Sequence, residues 1–352
     1  MSGLLHASFD STLTSSLAFA TREGFGLVNL DHLEQNPFGT SESGVGCIQI
    51  FTVNNVTMVA IVGSGDLAGS SPRKLKILDV ATRETVHEVS FHSSILSCAI
   101  SSKYIVICLE SKIHIIDING MKTVKKISTP LNSSGIMTVS KISNPTILAY
   151  SSSSTSGEFI VVDIDNLLQS PTSTNLSYAA HKGRLACLQL NSKGTLLATA
   201  SVTGTIIRVF DAHTSLKLFD FRRGLQHASI TSLHFCTSDS LLLAGSSSGT
   251  VHIFQFGSKE CTETGPLPEI LLISKPRNIF GNIIRAAVSS VQQELRQSNS
   301  LSRALCIARI PRPEGPICMN LTTPENGEKK LFIVTPSGYL YRCHYCSKLD
   351  SP

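Results

Sequence analysis

Residues 196–211 read LLATASVTGTIIRVFD, and this stretch decides the fold. Two runs rich in apolar and β-branched residues, the composition of half-buried strands, flank Thr203-Gly204. A dipeptide of this kind is typical of a tight turn between antiparallel strands. A third run of the same character, LACLQLN, ends at Asn191 just before the stretch. The region therefore predicts three short antiparallel strands in one sheet.

The last part of this stretch belongs to a pattern that recurs along the whole chain. Its spacing is roughly 40–50 residues until a final step about twice as long, and a period near this length is typical of propeller blades. The sequence therefore predicts an all-β, seven-bladed β-propeller that residues 1–352 form as one domain. The seven segments are GFGLVNL from Gly24, KLKILDV from Lys74, KIHIIDI from Lys112, EFIVVDI from Glu158, TIIRVFD from Thr205, TVHIFQF from Thr250 and GYLYRCHY from Gly338.

Four of the segments carry Asp at matching positions. We interpret these residues as turn-stabilising, because an Asp side chain accepts hydrogen bonds from backbone N–H groups just after it. No nucleotide-binding, metalloprotease or serine-hydrolase motif occurs, so the sequence predicts no enzyme and no cofactor. The four residues are Asp79, Asp117, Asp163 and Asp211.

The composition is that of an ordinary folded chain, with 41% hydrophobic and 16% charged residues. The formal net charge of +5 permits an anionic partner but does not indicate nucleic acid, because no aromatic residues interleave with basic ones. No apolar run approaches the length of a membrane span, and the N-terminus lacks a signal-peptide pattern. Ten scattered Cys residues favour a reduced, cytoplasmic protein. Cys343 and Cys346 form a C-x-x-C pair without a second pair for zinc, so we predict no metal site.

Phe221-Arg222-Arg223-Gly224, at the end of the fifth predicted blade, is the main candidate for function. Adjacent side chains of an extended segment point to opposite sides, so the two Arg residues would serve two neighbouring pockets. A guanidinium group is a planar fork of donors that matches phosphate oxygens. The residues alone leave an alternative open, since a surface Arg pair is more often a solvated or salt-bridged face.

Hydroxyl and imidazole side chains are predicted beside each Arg residue, with His181 opening the first strand of the fifth blade. Small hydroxyl groups donate hydrogen bonds to phosphate without occupying its space, although Ser and Thr in blade turns often only form the turn. The sixth-blade strand also carries His252, although a His in mid-strand is more often a packed or surface residue than a ligand. The candidates are His181, Ser201, Thr203 and Thr205 for the fifth blade, and His227, Ser246, Ser247 and Thr250 for the sixth.

Phe-Arg-Arg-Gly between two blades, followed by a strand reading TVHIF, resembles the PROPPIN family of phosphoinositide-binding propellers, which includes the animal WIPI proteins. VAIVGSGD with SPRKLKILDV, YIVICLESKIHIIDINGMK, ILAYSSSSTSGEFIVVDIDNL and LLATASVTGTIIRVFDA resemble its second to fifth blades, and GYLYRCHY its last blade. The Trp of the common WD dipeptide is absent from the chain.

The resemblance implies two rim sites for phosphatidylinositol 3-phosphate or phosphatidylinositol 3,5-bisphosphate. Arg222 would serve the fifth-blade site and Arg223 the sixth-blade site. It also implies a cytoplasmic effector, peripheral on preautophagosomal and endosomal membranes, that scaffolds autophagosome formation with autophagy conjugation or lipid-transfer proteins. Basic residues around the second and third blades would recruit such partners, and here only Lys103 and Lys122 are basic in the corresponding stretch. The alternative is a protein-interaction propeller of WD type without lipid specificity.

The doubled last spacing predicts an insertion at residues 257–302, a long loop in the sixth blade. Within it, an apolar stripe at helical spacing predicts an amphipathic helix over 278–293, with Asn278 as a cap. Such a stripe usually packs on a protein surface. The PROPPIN family carries a membrane-inserting loop in this blade, so the resemblance implies that the stripe faces the membrane and enters the lipid interface. Its residues are Ile279, Phe280, Ile283, Ile284 and Val288.

Overall fold

The computed structural model describes residues 3–10, 16–31, 35–36, 44–170, 176–256, 277–278, 302–311, 314–322 and 329–345. The chain divides into two compact units, residues 1–184 with 192–194, and residues 185–191 with 195–352. The prediction of a single domain over 1–352 stays a prediction.

The first unit contains sixteen strands and one short helix in its described residues, and nearly all successive strands are joined by short turns. In chain order they are β1 Leu4–Phe9, β2 Ser16–Thr21, β3 Gly24–Asn29, β4 Gln35–Asn36, β5 Val45–Val53, β6 Val56–Gly63, β7 Lys74–Asp79, β8 Thr85–Ser90, β9 Ser97–Ile100, β10 Tyr104–Cys108, β11 Lys112–Asp117, β12 Thr123–Ser128, β13 Met137–Val139, β14 Ile147–Ser151, β15 Gly157–Asp163, α1 Ile164–Gln169 and β16 Ser177–His181.

The second unit contains thirteen strands in its described residues. They are β17 Leu185–Leu190, β18 Leu196–Ser201, β19 Ile206–Asp211, β20 Lys217–Arg222, β21 Ile230–Phe235, β22 Leu241–Ser246, β23 Thr250–Gln255, β24 Arg277–Asn278, β25 Ser302–Arg303, β26 Cys306–Arg309, β27 Cys318–Thr322, β28 Lys329–Val334 and β29 Tyr339–Tyr345.

Across the described residues these strands form seven sheets, antiparallel apart from one pair, and each is a blade of a seven-bladed β-propeller, as the sequence predicts. The first four sheets are β1–β4, β5–β8, β9–β12 and β13–β16, each a meander in chain order. The fifth is β17–β20, with β25 added parallel to β20 through Phe221 and Arg222. The sixth is β21-β22-β23-β26, and the seventh is β27-β28-β29-β24.

The seven repeated segments all coincide with the third strand of a sheet. They are β3, β7, β11, β15, β19, β23 and β29. The second and third strands carry the apolar positions of each unit's core, which is why they are the most regular part of the sequence pattern. Every residue of β10, β14 and β22 is buried, whereas the fourth strands β8 and β12 alternate between partly buried and exposed residues. In these blades the second strand is more deeply buried than the fourth strand.

Three of the four matching Asp residues, Asp79, Asp117 and Asp211, stabilise turns as predicted, whereas Asp163 caps a helix. Asp79 Oδ1 accepts from the N–H of Ala81 at 2.7 Å, and Asp211 Oδ1 accepts from the N–H of Thr214 at 2.8 Å. The hydrogen bonds to Asp211 lower the pKa of its carboxyl group, and the bond from the Thr214 N–H has the largest effect. Asp117 accepts from the N–H of Gly120 in the same way, and Asp163 caps α1 by accepting from the N–H of Asn166.

Two boundary predictions were wrong. His181 does not open the first strand of the fifth blade; it ends β16, the fourth strand of the fourth sheet, opposite Gly157. Asn278 is not part of a helix, because β24 pairs with Tyr339 and Leu340 of β29 and its backbone is extended. An N-cap residue also has non-helical backbone, so the prediction that Asn278 caps a helix stays a prediction. Residues 279–293 lie outside the described residues, as do Ile279, Phe280, Ile283, Ile284 and Val288.

The insertion is located by the strands on either side of it. β23 pairs with β26 from Thr250↔Arg309 to Ile253↔Cys306. Residues 256–305 therefore connect the third and fourth strands of the sixth sheet.

Candidate functional site

Phe221 anchors the candidate motif in the core of the second unit. Its side chain is 1% exposed, and its ring stacks on Phe254 of β23 with centroids 4.8 Å apart. Phe219 stacks on it from the same strand at 5.8 Å, and Phe256 meets it edge-on at 5.6 Å. The last residues of β20 are thereby fixed against the neighbouring blade, so the Arg pair starts from a rigid base.

Arg222 ends β20 and lies opposite Ile206 in the register of the fifth sheet. The residue is partly exposed, yet its Nε is buried and has no hydrogen-bond partner among the described residues. A buried donor that lacks an acceptor is costly. Such a donor favours an anion that reaches this end of the strand.

Hydroxyl groups of the fifth sheet surround the turn that precedes β19. Ser201 ends β18 and is 7% exposed, while Thr203 and Thr205 are partly exposed. Gly204 closes the turn at φ +63°, with its N–H donating to Ser201 O at 3.0 Å. The carbonyl of Thr205 accepts from the N–H of Arg223 at 2.9 Å, which ties this turn to the Arg pair.

Arg223 follows β20 and contacts the turn between β18 and β19. Its Nε donates to Gly204 O at 2.7 Å, and its Nη2 donates to Gln226 O. Partial burial lowers the pKa of Arg223. The guanidinium is thus held in place by backbone carbonyls of the two adjoining loops, while Arg222 Nε has no such partner among the described residues.

A hydroxyl cluster lies at the turn between β22 and β23. Ser246 is fully buried and hydrogen-bonds to Ser248 Oγ and Thr250 Oγ1, at 2.8 Å in each case. Ser248 also lies 3.2 Å from Thr250 Oγ1. Because Ser246 has no exposed surface, its role is to orient Ser248 and Thr250. Those two, with exposed Ser247, are the hydroxyl groups a ligand can reach.

His252 lies on β23 of the sixth sheet. The side chain is 5% exposed, and its Nδ1 is buried without a hydrogen-bond partner among the described residues. Burial first, and then the positive charges of Arg223 and Arg309, lower the pKa of His252 to about 3. Both Arg residues therefore lie within electrostatic reach of one neutral imidazole, at a site where positive charge accumulates.

Arg309 is the residue that the sequence prediction missed. It is exposed on β26, directly opposite Thr250 in the cross-strand register. The insertion separates it from Thr250 by more than fifty positions of the chain, so no local pattern marks it. Only the pairing of β23 with β26 shows that Arg309 lies beside Thr250.

The two remaining predicted residues are histidines. His227 is exposed on the loop after Arg223. His181 is 9% exposed and belongs to the first unit.

The basic residue expected to recruit partners is already engaged within the first unit. Lys103 Nζ donates to Asn144 Oδ1 at 2.8 Å and forms an ion pair with Asp165 at 3.3 Å. Asp165 also accepts from Tyr104 OH at 2.8 Å and from the N–H of Thr146 at 2.8 Å. These three donors outweigh the burial of the carboxyl and lower the pKa of Asp165. Lys103 therefore connects the third sheet to α1 through its ion pair with Asp165. Lys122 is exposed.

The fold defines the class of protein, a seven-bladed β-propeller, and its fifth and sixth sheets carry the Arg and hydroxyl side chains described above. The family model described as PROPPIN matches residues 4–348. The chain belongs to the PROPPIN family.

Two curated relatives are similar over much of the chain. WD repeat domain phosphoinositide-interacting protein 2 of Mus musculus is 32% identical over 344 residues, which cover 96% of this chain and 73% of that protein. Autophagy-related protein 18 of Komagataella pastoris is 35% identical over 257 residues, 64% of this chain and 47% of that protein. The match to this fungal relative thus spans about half of its length.

Among solved structures, a complex of KlAtg21 with the coiled coil of AgAtg16 has a TM-score of 0.69 at 20% identity, covering 98% of this chain and 95% of that chain. At this identity the likeness speaks for the fold. In the described residues, no helix has the length and apolar character needed to cross a membrane.

Proposed function

We propose that this protein is a phosphoinositide effector that binds phosphatidylinositol 3-phosphate and phosphatidylinositol 3,5-bisphosphate at two rim sites. The observation that carries the proposal is that Arg222, Arg223, Arg309 and several hydroxyl groups lie at or next to matching ends of β18, β19 and β20 and of β22, β23 and β26. A phosphate group supplies the anionic oxygens that these donors need. The name of the mouse relative, a phosphoinositide-interacting protein, supports the choice of ligand.

The two Arg residues are assigned to different sites. Arg222 serves the fifth blade with Ser201, Thr203 and Thr205. Arg223 serves the sixth blade with Ser247, Thr250 and His227, where Ser246 orients the hydroxyl groups. Arg309 joins this second site, because it lies opposite Thr250 and acts on the same imidazole as Arg223.

Binding at these sites recruits the protein from the cytoplasm to preautophagosomal and endosomal membranes, where it scaffolds autophagosome formation. The insertion in the sixth blade adds a membrane contact through Ile279, Phe280, Ile283, Ile284 and Val288. Several weak contacts on one surface combine into a strong one. The autophagy-related name of the fungal relative and the coiled-coil complex of KlAtg21 support partners from the conjugation machinery. Since Lys103 is engaged by Asp165, we expect other residues to meet such a partner.

The test is sedimentation of the protein with phosphatidylcholine vesicles that carry each phosphoinositide in turn. Wild type should bind vesicles with the 3-phosphate and 3,5-bisphosphate lipids, and Arg222→Ala with Arg223→Ala should not. Arg83→Ala with Arg73→Ala, exposed residues of the second blade, is the matched loss of two positive charges. Binding that is indifferent to lipid identity, or that survives the Arg222 and Arg223 double change, would favour a protein-interaction propeller instead.

A further inference from the structure

Two exposed apolar side chains lie beside the Arg pair in the second unit. Leu225 is 67% exposed in the loop that follows Gly224, and Val202 is 37% exposed in the turn between β18 and β19. Neither packs in the core described above. Leu225 has the largest exposed fraction of any large hydrophobic residue in the described part of the chain.

The two loops that carry these side chains are in direct contact with each other. The N–H of Ala228 donates to Thr203 O at 3.3 Å, and Arg223 Nε donates to Gly204 O at 2.7 Å. A Cβ on Gly204 would lie 1.8 Å from Ala228 O, so the loops are in direct contact. These contacts hold together the backbones of the two loops that carry Val202 and Leu225, next to Arg223.

Exposed apolar side chains next to cationic groups are complementary to the surface of a lipid bilayer. The headgroup layer of a bilayer offers anionic phosphates, and the acyl chains begin a few ångströms deeper. An acidic peptide supplies the charge but no apolar layer at a fixed depth. A free inositol phosphate would leave both apolar side chains in water.

We infer that Val202 and Leu225 form an apolar wedge that enters the lipid interface when the neighbouring Arg residues hold a phosphoinositide headgroup. This inference rests on the proposed function and adds a membrane contact on the fifth blade, separate from the insertion of the sixth. The wedge contributes to binding of a vesicle and contributes nothing to binding of a water-soluble headgroup.

The absence of Trp from the chain makes the wedge directly measurable. Leu225→Trp introduces a single indole, whose emission should shift to the blue and be quenched by brominated lipid when vesicles containing phosphatidylinositol 3-phosphate are added. Leu216→Trp is the matched control, because Leu216 is 65% exposed at the other end of β20. Six residues of strand place it roughly 20 Å from Arg222. Its emission should not change.

The companion experiment separates the wedge from the headgroup sites. Val202→Ser with Leu225→Ser should weaken partition onto the same vesicles about tenfold, a loss of about 1.4 kcal/mol. Its affinity for soluble inositol 1,3-bisphosphate should equal that of wild type. Equal vesicle binding by this variant and wild type, or an indole shift caused by an acidic peptide and not by vesicles, overturns the wedge alone. Failure of wild type to bind either vesicles or the soluble headgroup overturns the proposed function together with it.

Discussion

The ring of Phe221 lies on the ring of Phe254, with centroids 4.8 Å apart and planes 27° from parallel. This contact joins the fourth strand of the fifth sheet to the third strand of the sixth sheet. Both side chains are at most 1% exposed. The same backbone that buries Phe221 positions the next two residues, so the packing of the core sets the geometry of the rim.

Phe221→Ala should therefore destabilise the fold and weaken lipid binding together. Removing a buried Phe side chain costs about 3–5 kcal/mol. Phe221→Leu keeps an apolar side chain and should lose less stability. Urea unfolding followed by circular dichroism measures the difference, and Phe256→Ala, at a partly buried position, is the comparison. A Phe221→Ala protein as stable as wild type would contradict the anchoring role.

Two glycines beside the Arg pair should respond differently to the same change. Gly204 has φ +63°, and a Cβ there would overlap Ala228 O, whereas a Cβ on Gly224 would meet nothing within 4 Å. Gly204→Ala should lower stability by at least about 1 kcal/mol and displace the loop that holds Arg223. Gly224→Ala should unfold like wild type. Thermal unfolding of the two variants checks this, and equal melting temperatures would mean that the loops are not in contact.

The two Arg residues should have opposite effects on stability. Arg222→Met removes a buried donor that has no acceptor among the described residues, and it keeps the apolar stem. We therefore expect the stability to be unchanged or raised by about 1 kcal/mol. Arg223→Met removes two hydrogen bonds to backbone carbonyls and should cost about 1–3 kcal/mol.

Both changes are expected to weaken vesicle binding. Chemical denaturation gives the stabilities, and sedimentation with vesicles gives the binding. If Arg222→Met were the less stable of the two, the idea that Arg222 is kept for binding at a cost in stability would fail.

The propeller fold could be predicted from the sequence because the third strands are rich in apolar residues and several of them end at a turn-forming Asp. Asp79 and Asp211 mark such ends, and both make the expected hydrogen bonds. Contacts between distant segments left no local signal. Arg309 reaches the sixth-blade site only because β26 pairs with β23 across the insertion. His181 was assigned to the wrong sheet because the Lys182-Gly183 turn looks the same whether it follows one blade or opens the next.

The buried His252 should make the fold sensitive to acid. Burial and the charges of Arg223 and Arg309 lower its pKa to about 3, whereas an unfolded His titrates near 6.5. Between these two values the unfolded chain binds a proton that the folded chain does not, so stability falls as the pH falls from about 6.5. From pH 7 to pH 5, this one group should remove about 2 kcal/mol. Above the pKa of the unfolded His, near 6.5, the neutral His252 causes no loss of stability.

His252→Phe keeps a ring beside Phe254 and removes the titration. Its stability should fall about 2 kcal/mol less than that of wild type over the same pH interval. Some acid sensitivity should persist, because burial also lowers the pKa of His6, to about 4. His92→Gln, at an exposed position, is the control and should follow wild type. Urea unfolding at pH 5, 6 and 7 measures the three proteins, and parallel losses for wild type and His252→Phe would show that His252 is not held neutral.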